Sequence, residues 1–198
     1  GVENTLIGAL AGDAITTGVQ NVATGTYALS ANTTGGQNVA VGYLSLSANT
    51  TAADNTAVGA QSLQVNTVGA SNSAFGRYTL QNNTASNNTA VGRSALQENT
   101  TGASNTCLGD NAGSSVTTGS HNILVGRNAG VDTIALTTGG HNVVLGNFSR
   151  TGTANDYYAI GLGYNITAAG GYTTLGRDSS DIRAAHGNAT WAAVSDER

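Results

Sequence analysis

Asn55-Thr56-Ala57-Val58-Gly59 decides the fold, because this five-residue phrase returns along almost the whole chain. Its asparagine recurs at Asn4, Asn21, Asn38, Asn72, Asn88, Asn105, Asn122 and Asn142, and its glycine at Gly8, Gly25, Gly42, Gly76, Gly92, Gly109, Gly126 and Gly146. Most steps are 17 residues, one is 16 and the last is 20. A unit this short cannot enclose a core alone, so its copies must stack as coils of one solenoid, each touching chiefly its neighbours.

Within a coil, alternation sends Thr56 and Val58 to one face and Ala57 to the other, as in a short strand, and Gly59 turns the chain. A second apolar position follows four residues later at Leu29, Leu46, Leu63, Leu80 and Leu96, and predicts a second strand. Polar corners such as Asn32-Thr33-Thr34-Gly35 and Asn99-Thr100-Thr101-Gly102 carry residues suited to turns with positive φ. The expected fold is all-β: a parallel β-solenoid, or β-roll, of about eleven coils spaced about 4.8 Å apart, forming a rod roughly 50 Å long. One valine and one leucine per coil make a thin core. The small residues Ala40, Ala57, Ala74 and Ala90 are expected to face outward and let another backbone approach closely, burying the second side of the sheet.

Beyond Gly146, Gly161 and Gly176 continue the count at 15-residue steps as terminal coils. The division is then a repetitive solenoid over 1–176 and a connector over 177–198, the latter charged and containing Trp191.

Composition narrows the function. Of 198 residues, 28 are glycine, none is proline or methionine, and 9% are charged, unlike an ordinary globular enzyme. A net charge of −4 with seven arginines and no lysine gives no basic surface for nucleic acid. No apolar run near eighteen residues and no leader pattern at Gly1 suggest membrane insertion or secretion. The lone Cys107 takes an alanine place in the repeat and reads as a buried small residue.

The repeat resembles the heads of trimeric autotransporter adhesins, whose Asn-Ser-Thr-Ala-Ile-Gly-like units form trimeric left-handed β-rolls, and it is similar to repeats in bacteriophage tail fibres. Trp191-Ala192-Ala193-Val194-Ser195-Asp196-Glu197-Arg198 resembles the junction where an endosialidase-type intramolecular chaperone begins. That resemblance implies a fibre-trimerising device released by cleavage, with Ser195 and Asp196 marking the processing site. It also implies a virion tail fibre protein that assembles as a parallel homotrimer, binds a bacterial cell-surface glycan or protein and contacts other tail proteins. Two other readings are a bacterial surface adhesin head and a monomeric ice-binding solenoid.

No cofactor is expected. The asparagine column reads as a stacked ladder serving the turn backbone. The threonines Thr33, Thr50, Thr67, Thr84 and Thr100 raise the ice-binding reading, although their neighbours Thr34, Thr51, Val68 and Ala85 give no two-wide array. His121 and His141 precede motif asparagines and are candidate metal or anion ligands on a trimer axis. Arg77, Arg93 and Arg127 each follow a motif glycine, with Tyr43 and Tyr78 close in phase, a stripe suited to acidic sugars or to salt bridges. Catalysis is not expected: Asp54, Glu98, Asp110, Asp132 and Asp156 differ in phase and form no acid–base pair, and no nucleophile elbow occurs. The irregular stretches from Asp132 to Thr138 and from Arg150 to Asp156 are the expected protruding loops.

Overall fold

The computed structural model describes residues 1–131, 135–178 and 180–187, and the backbone of 192–193. Among these residues there is no helix. Nine three-residue strands carry the repeat: β1 (Thr5–Ile7), β2 (Val22–Thr24), β3 (Val39–Val41), β4 (Thr56–Val58), β5 (Ser73–Phe75), β6 (Thr89–Val91), β7 (Thr106–Leu108), β8 (Ile123–Val125) and β9 (Val143–Leu145). Then follow β10 (Arg150–Thr151), β11 (Ile160–Tyr164), β12 (Thr167–Ala168), β13 (Tyr172–Arg177), β14 (Ser180–Ala185) and β15 (Ala192–Ala193). Strands β1 to β9, β11 and β13 pair in parallel, in chain order, so eleven rungs enclose about ten turns of a parallel β-solenoid. At Ser180 the chain reverses, and β14 and β15 extend the sheet antiparallel.

The faces of the strand are the reverse of the expectation. Ala23, Ala40, Ala57, Ala74, Ala90 and Cys107 point into the coil and are fully buried, opposite Leu29, Leu46, Leu63, Leu80 and Leu96. The coil is so thin that a leucine from the far wall leaves room for little more than a methyl group on the strand. The larger strand residues therefore point outward. Register stacks Val41, Val58, Phe75, Val91, Leu108, Val125, Leu145 and Leu162 in one external column.

The second strand expected at the leucines does not form in the regular coils. Instead the chain there alternates in handedness: Tyr27 and Leu29 have φ of 61° and 52°, and Gln61 and Leu63 have 60° and 50°. A left-handed leucine costs about 1–2 kcal/mol, and burial of its side chain returns about 1.5–3 kcal/mol. Hydrogen bonding between coils continues through the segment, with Tyr27 N–H donating to Ala9 O and Leu29 N–H to Ser45 O, both at 3.0 Å. Only β10 and β12 build a second sheet, of two strands.

Positive φ also avoids the polar corner. Neither Asn32 nor Gly35 adopts it; the left-handed residue is the one before each motif asparagine, such as Gln37, Asp54 or Ser71. The motif glycines are constrained twice over. Gly59 has φ +137°, and a Cβ there would lie 2.4 Å from Gly76 O of the next coil.

Terminal register differs as well. Leu145 pairs with Leu162 and Gly163 with Gly176, so the corner glycine after Gly146 is Gly163 and the steps are 17 and 13 residues. Gly161 occupies the inward alanine place, where an added Cβ would meet Ala168 Cβ at 2.8 Å. Ala159 replaces the motif asparagine, and its N–H donates to Asn142 Oδ1 at 2.8 Å.

Candidate functional site

Two polar ladders hold the interior. In the first, Asn38 donates from N and Nδ2 to Asn21 Oδ1 at 2.9 and 3.2 Å, and from Nδ2 to Ala52 O at 2.9 Å. Related bonds repeat from Asn21 to Asn142, all buried, so this column has no surface to offer a ligand. The second ladder runs through Asn32, Asn49, Asn66, Asn83 and Asn99, whose Nδ2 groups close their own corners. It stops where Val116 takes the place after Asn99; the buried Oδ1 atoms of Asn49, within the ladder, and of Asn99, at its end, have no hydrogen-bond partner. The threonine hydroxyls are engaged too: Thr33 Oγ1 donates to Thr50 O at 3.0 Å and Thr100 Oγ1 to Thr117 O at 3.0 Å.

Function is left to the exterior, where two side-chain columns border the strand face. Residues before the motif asparagine form the strand-start column, and residues after the motif glycine form the strand-end column. The sequence-selected arginines and Tyr43 share the strand-end column, and Tyr78 lies beside it. Arg77 rests on the Tyr78 ring, its guanidinium carbon 4.3 Å from the centroid, and donates to the Tyr78 hydroxyl. Asp110 interrupts the basic stripe. Arg93 donates to it from Nε at 2.8 Å and from Nη2 at 3.3 Å, while Arg127 Nε is 3.9 Å away. The hydrogen bond from Arg93 holds the Asp110 carboxyl below the ordinary range, and the same contact raises the Arg93 guanidinium. Asp110 was readable as a member of this column, since it directly follows Gly109.

The strand-end column continues where sequence reading found nothing. The Arg127 guanidinium carbon lies 5.4 Å from the Phe148 ring, Phe148 meets Tyr164 edge-on at 6.2 Å, and Arg177 lies 5.8 Å from the Tyr164 ring. Counting from Gly161 puts Tyr164 out of phase; with Gly163 as the corner glycine, paired with Gly176, Tyr164 falls in this column.

His121 and His141 share the strand-start column, exposed and stacked at 4.8 Å with an interplanar angle of 12°. His141 stacks in turn on Tyr158 at 5.2 Å and 18°. Within one chain, no group of three or more His, Cys, Asp or Glu gathers among the described residues. Cys107 is enclosed, and burial drives its thiol far up.

Glu98 accepts from Asn82 at 3.0 Å, and Asp156 closes its own loop by accepting from Thr153 N–H at 2.9 Å. Of the expected protruding loops, Asp132, Thr133 and Ile134 lie outside the described residues, as do Trp191, Ser195 and Asp196. Arg150 and Thr151 belong to β10 and not to a loop. Among the described residues no enclosed pocket forms, and no helix is long and apolar enough to cross a membrane. No protein-family model, curated protein or solved structure matches the chain.

Proposed function

We propose that this chain is a structural and receptor-binding segment of a bacteriophage tail fibre, working as a parallel homotrimer on the virion without catalysis of its own. The observation that carries the trimer is the outer face of the strands. Phe75, Val91, Leu108, Leu145 and Leu162 form an exposed apolar column along the rod. Three residues by eleven strands give a strip of roughly 500 Å² in projection, in which the apolar column runs beside the outward Thr56, Ser73, Thr89 and Thr106. Side-chain relief brings the whole strip toward the ~800 Å² per partner of a standard interface. A three-fold axis along the rod buries the strip of every copy at once. Like coils then meet like coils, which suits a strip that becomes more apolar toward Val143, Leu145, Ile160 and Leu162.

The assignment to a tail fibre rests on the repeat's resemblance to such fibres and on the junction-like Ser195-Asp196-Glu197-Arg198. Attachment would be multivalent, with three copies per fibre and several fibres per particle converting weak contacts with a surface glycan or protein into firm adhesion. Light scattering on the eluting protein tests the assembly: three times 19.7 kDa supports it, and a single chain mass overturns it. Pull-down on bacterial envelopes then tests attachment.

A further inference from the structure

We infer a composite binding groove for an acidic saccharide, built where two chains meet and absent from either alone. The inference rests on the trimeric reading above. Each strand runs across the rod, so in a closed ring of three the strand-end column of one copy must border the strand-start column of the next. On the last regular coils those columns are the most aromatic of the exterior, and Arg127 adds a cation. One copy brings the exposed stack His121, His141 and Tyr158. Its neighbour brings Arg127, Phe148 and Tyr164 at the same coil levels.

The chemistry selects the ligand. Sugar rings offer C–H faces that settle on aromatic groups, and a carboxylate or sulfate takes the guanidinium through charge-assisted hydrogen bonds. Arg127 has donors to spare for that role: Arg93 occupies both Asp110 oxygens at 2.8 and 3.3 Å, so Arg127 meets Asp110 only through Nε at 3.9 Å and its side chain is 62% exposed. The columns run along the rod at about 4.8 Å per coil, so the ligand is an extended chain lying parallel to the axis.

Complementation between subunits tests this. The probes are tetragalacturonate and a heparin-derived tetrasaccharide, with galactotetraose as neutral control, titrated into the intact protein by calorimetry. Wild type is expected to bind the acidic probes and not the neutral one. Arg127→Ala and Tyr158→Asn trimers should each bind at least tenfold more weakly, the loss of one charge-assisted or stacking contact. Asparagine at 158 keeps a residue that tolerates the left-handed backbone there, φ 59°. Trimers assembled from both variants restore one junction with both wild-type edges and should regain wild-type affinity at reduced stoichiometry. Mixed trimers that stay as weak as the single variants would place the site within one chain and overturn the composite groove. Failure of wild type to prefer the acidic probes would overturn the ligand class. A single-chain mass in light scattering would instead remove the trimer beneath both.

Discussion

Replacing Asn55 by alanine removes a rung from the interior without touching the surface, and its consequence can be worked atom by atom. Asn55 Nδ2 donates to Gly69 O at 2.9 Å, and its Oδ1 accepts from Asn72 N at 3.0 Å and Asn72 Nδ2 at 3.1 Å. Alanine orphans the buried Asn72 N–H, while Gly69 O keeps Asn66 Nδ2 at 2.8 Å and the Asn72 side-chain amide keeps Ala85 O at 2.8 Å. An orphaned buried polar group costs about 1–3 kcal/mol, so the loss should be about 2 kcal/mol. At roughly 2–4 °C per kcal/mol for a chain of this size, the thermal midpoint should fall by roughly 4–8 °C.

The assay is far-ultraviolet circular dichroism through thermal and urea unfolding at fixed protein concentration, with Asn4→Ala as the internal comparison. Asn4 sits on the first coil, is only half-buried, donates to Gly18 O at 3.0 Å and accepts from Asn21 N–H at 2.8 Å in a part-buried bond, so its loss should cost less. Asn55→Asp should cost at least as much as alanine at neutral pH, because it sets a carboxylate against the Gly69 and Ala53 carbonyls in a buried place. A loss below about 1 kcal/mol for Asn55→Ala, or equal losses at positions 4 and 55, would refute the claim that the ladder holds the coils together.

Leu63→Ala should destabilise by about 3 kcal/mol through a cavity, and Leu63→Gly should be no worse, because glycine relieves the left-handed φ of 50°; a denaturant series in which glycine is clearly worse than alanine contradicts this. Gly59→Ala should fail to fold or lose more than about 3 kcal/mol, read as loss of soluble, sheet-rich protein, since its Cβ meets backbone of the next coil. Leu145→Asp places a charge on the outer face and should yield a folded single chain, seen as an unchanged dichroism spectrum with one-third of the mass. Asp110 has a lowered folded pKa, so its stabilisation is present above its unfolded pKa and lost as pH falls through the folded one; the midpoint gap between wild type and Asp110→Asn should close on acidification and shrink in salt.

The period, the corner glycines and the asparagine ladder were legible because each is a local demand repeated at fixed spacing. The direction of the strand faces was not. Ala57 and Val58 alternate in either orientation, and the larger residue is the natural choice for the inside. What decides the matter is Leu63, six residues beyond Ala57, which fills the same thin interior from the far wall. The left-handed leucines were hidden for a related reason: intrinsic preference argues against φ near +50° for leucine, and only the tertiary requirement to bury it overrides that preference. On the exterior, Arg77, Arg93, Arg127, His121 and His141 were found by phase alone. Phe148, Tyr164 and Tyr158 were missed, the tyrosines because one misplaced corner glycine shifted the last coil.

One further regularity links stability to function. Wherever the leucine gives way to glycine, at Gly12, Gly113 and Gly130, the interior asparagine that follows gives way to an aliphatic residue, Ile15, Val116 and Leu136. The vacated space is taken by neighbouring side chains: a Cβ on Gly113 would meet Cys107 Sγ at 2.8 Å and Leu124 Cδ1 at 2.9 Å, and one on Gly12 would meet Leu6 and Ile15. Interior volume is thus balanced within and between adjacent coils, and each pair of coupled changes costs little. The strand-start column obeys no such coupling, and it runs through Glu3, Gln20, Asp54, Ser71, His121 and Tyr158 while sharing one backbone conformation. A solenoid whose interior settles its own stability leaves its edge columns free to vary, so differences in binding between coils are written there.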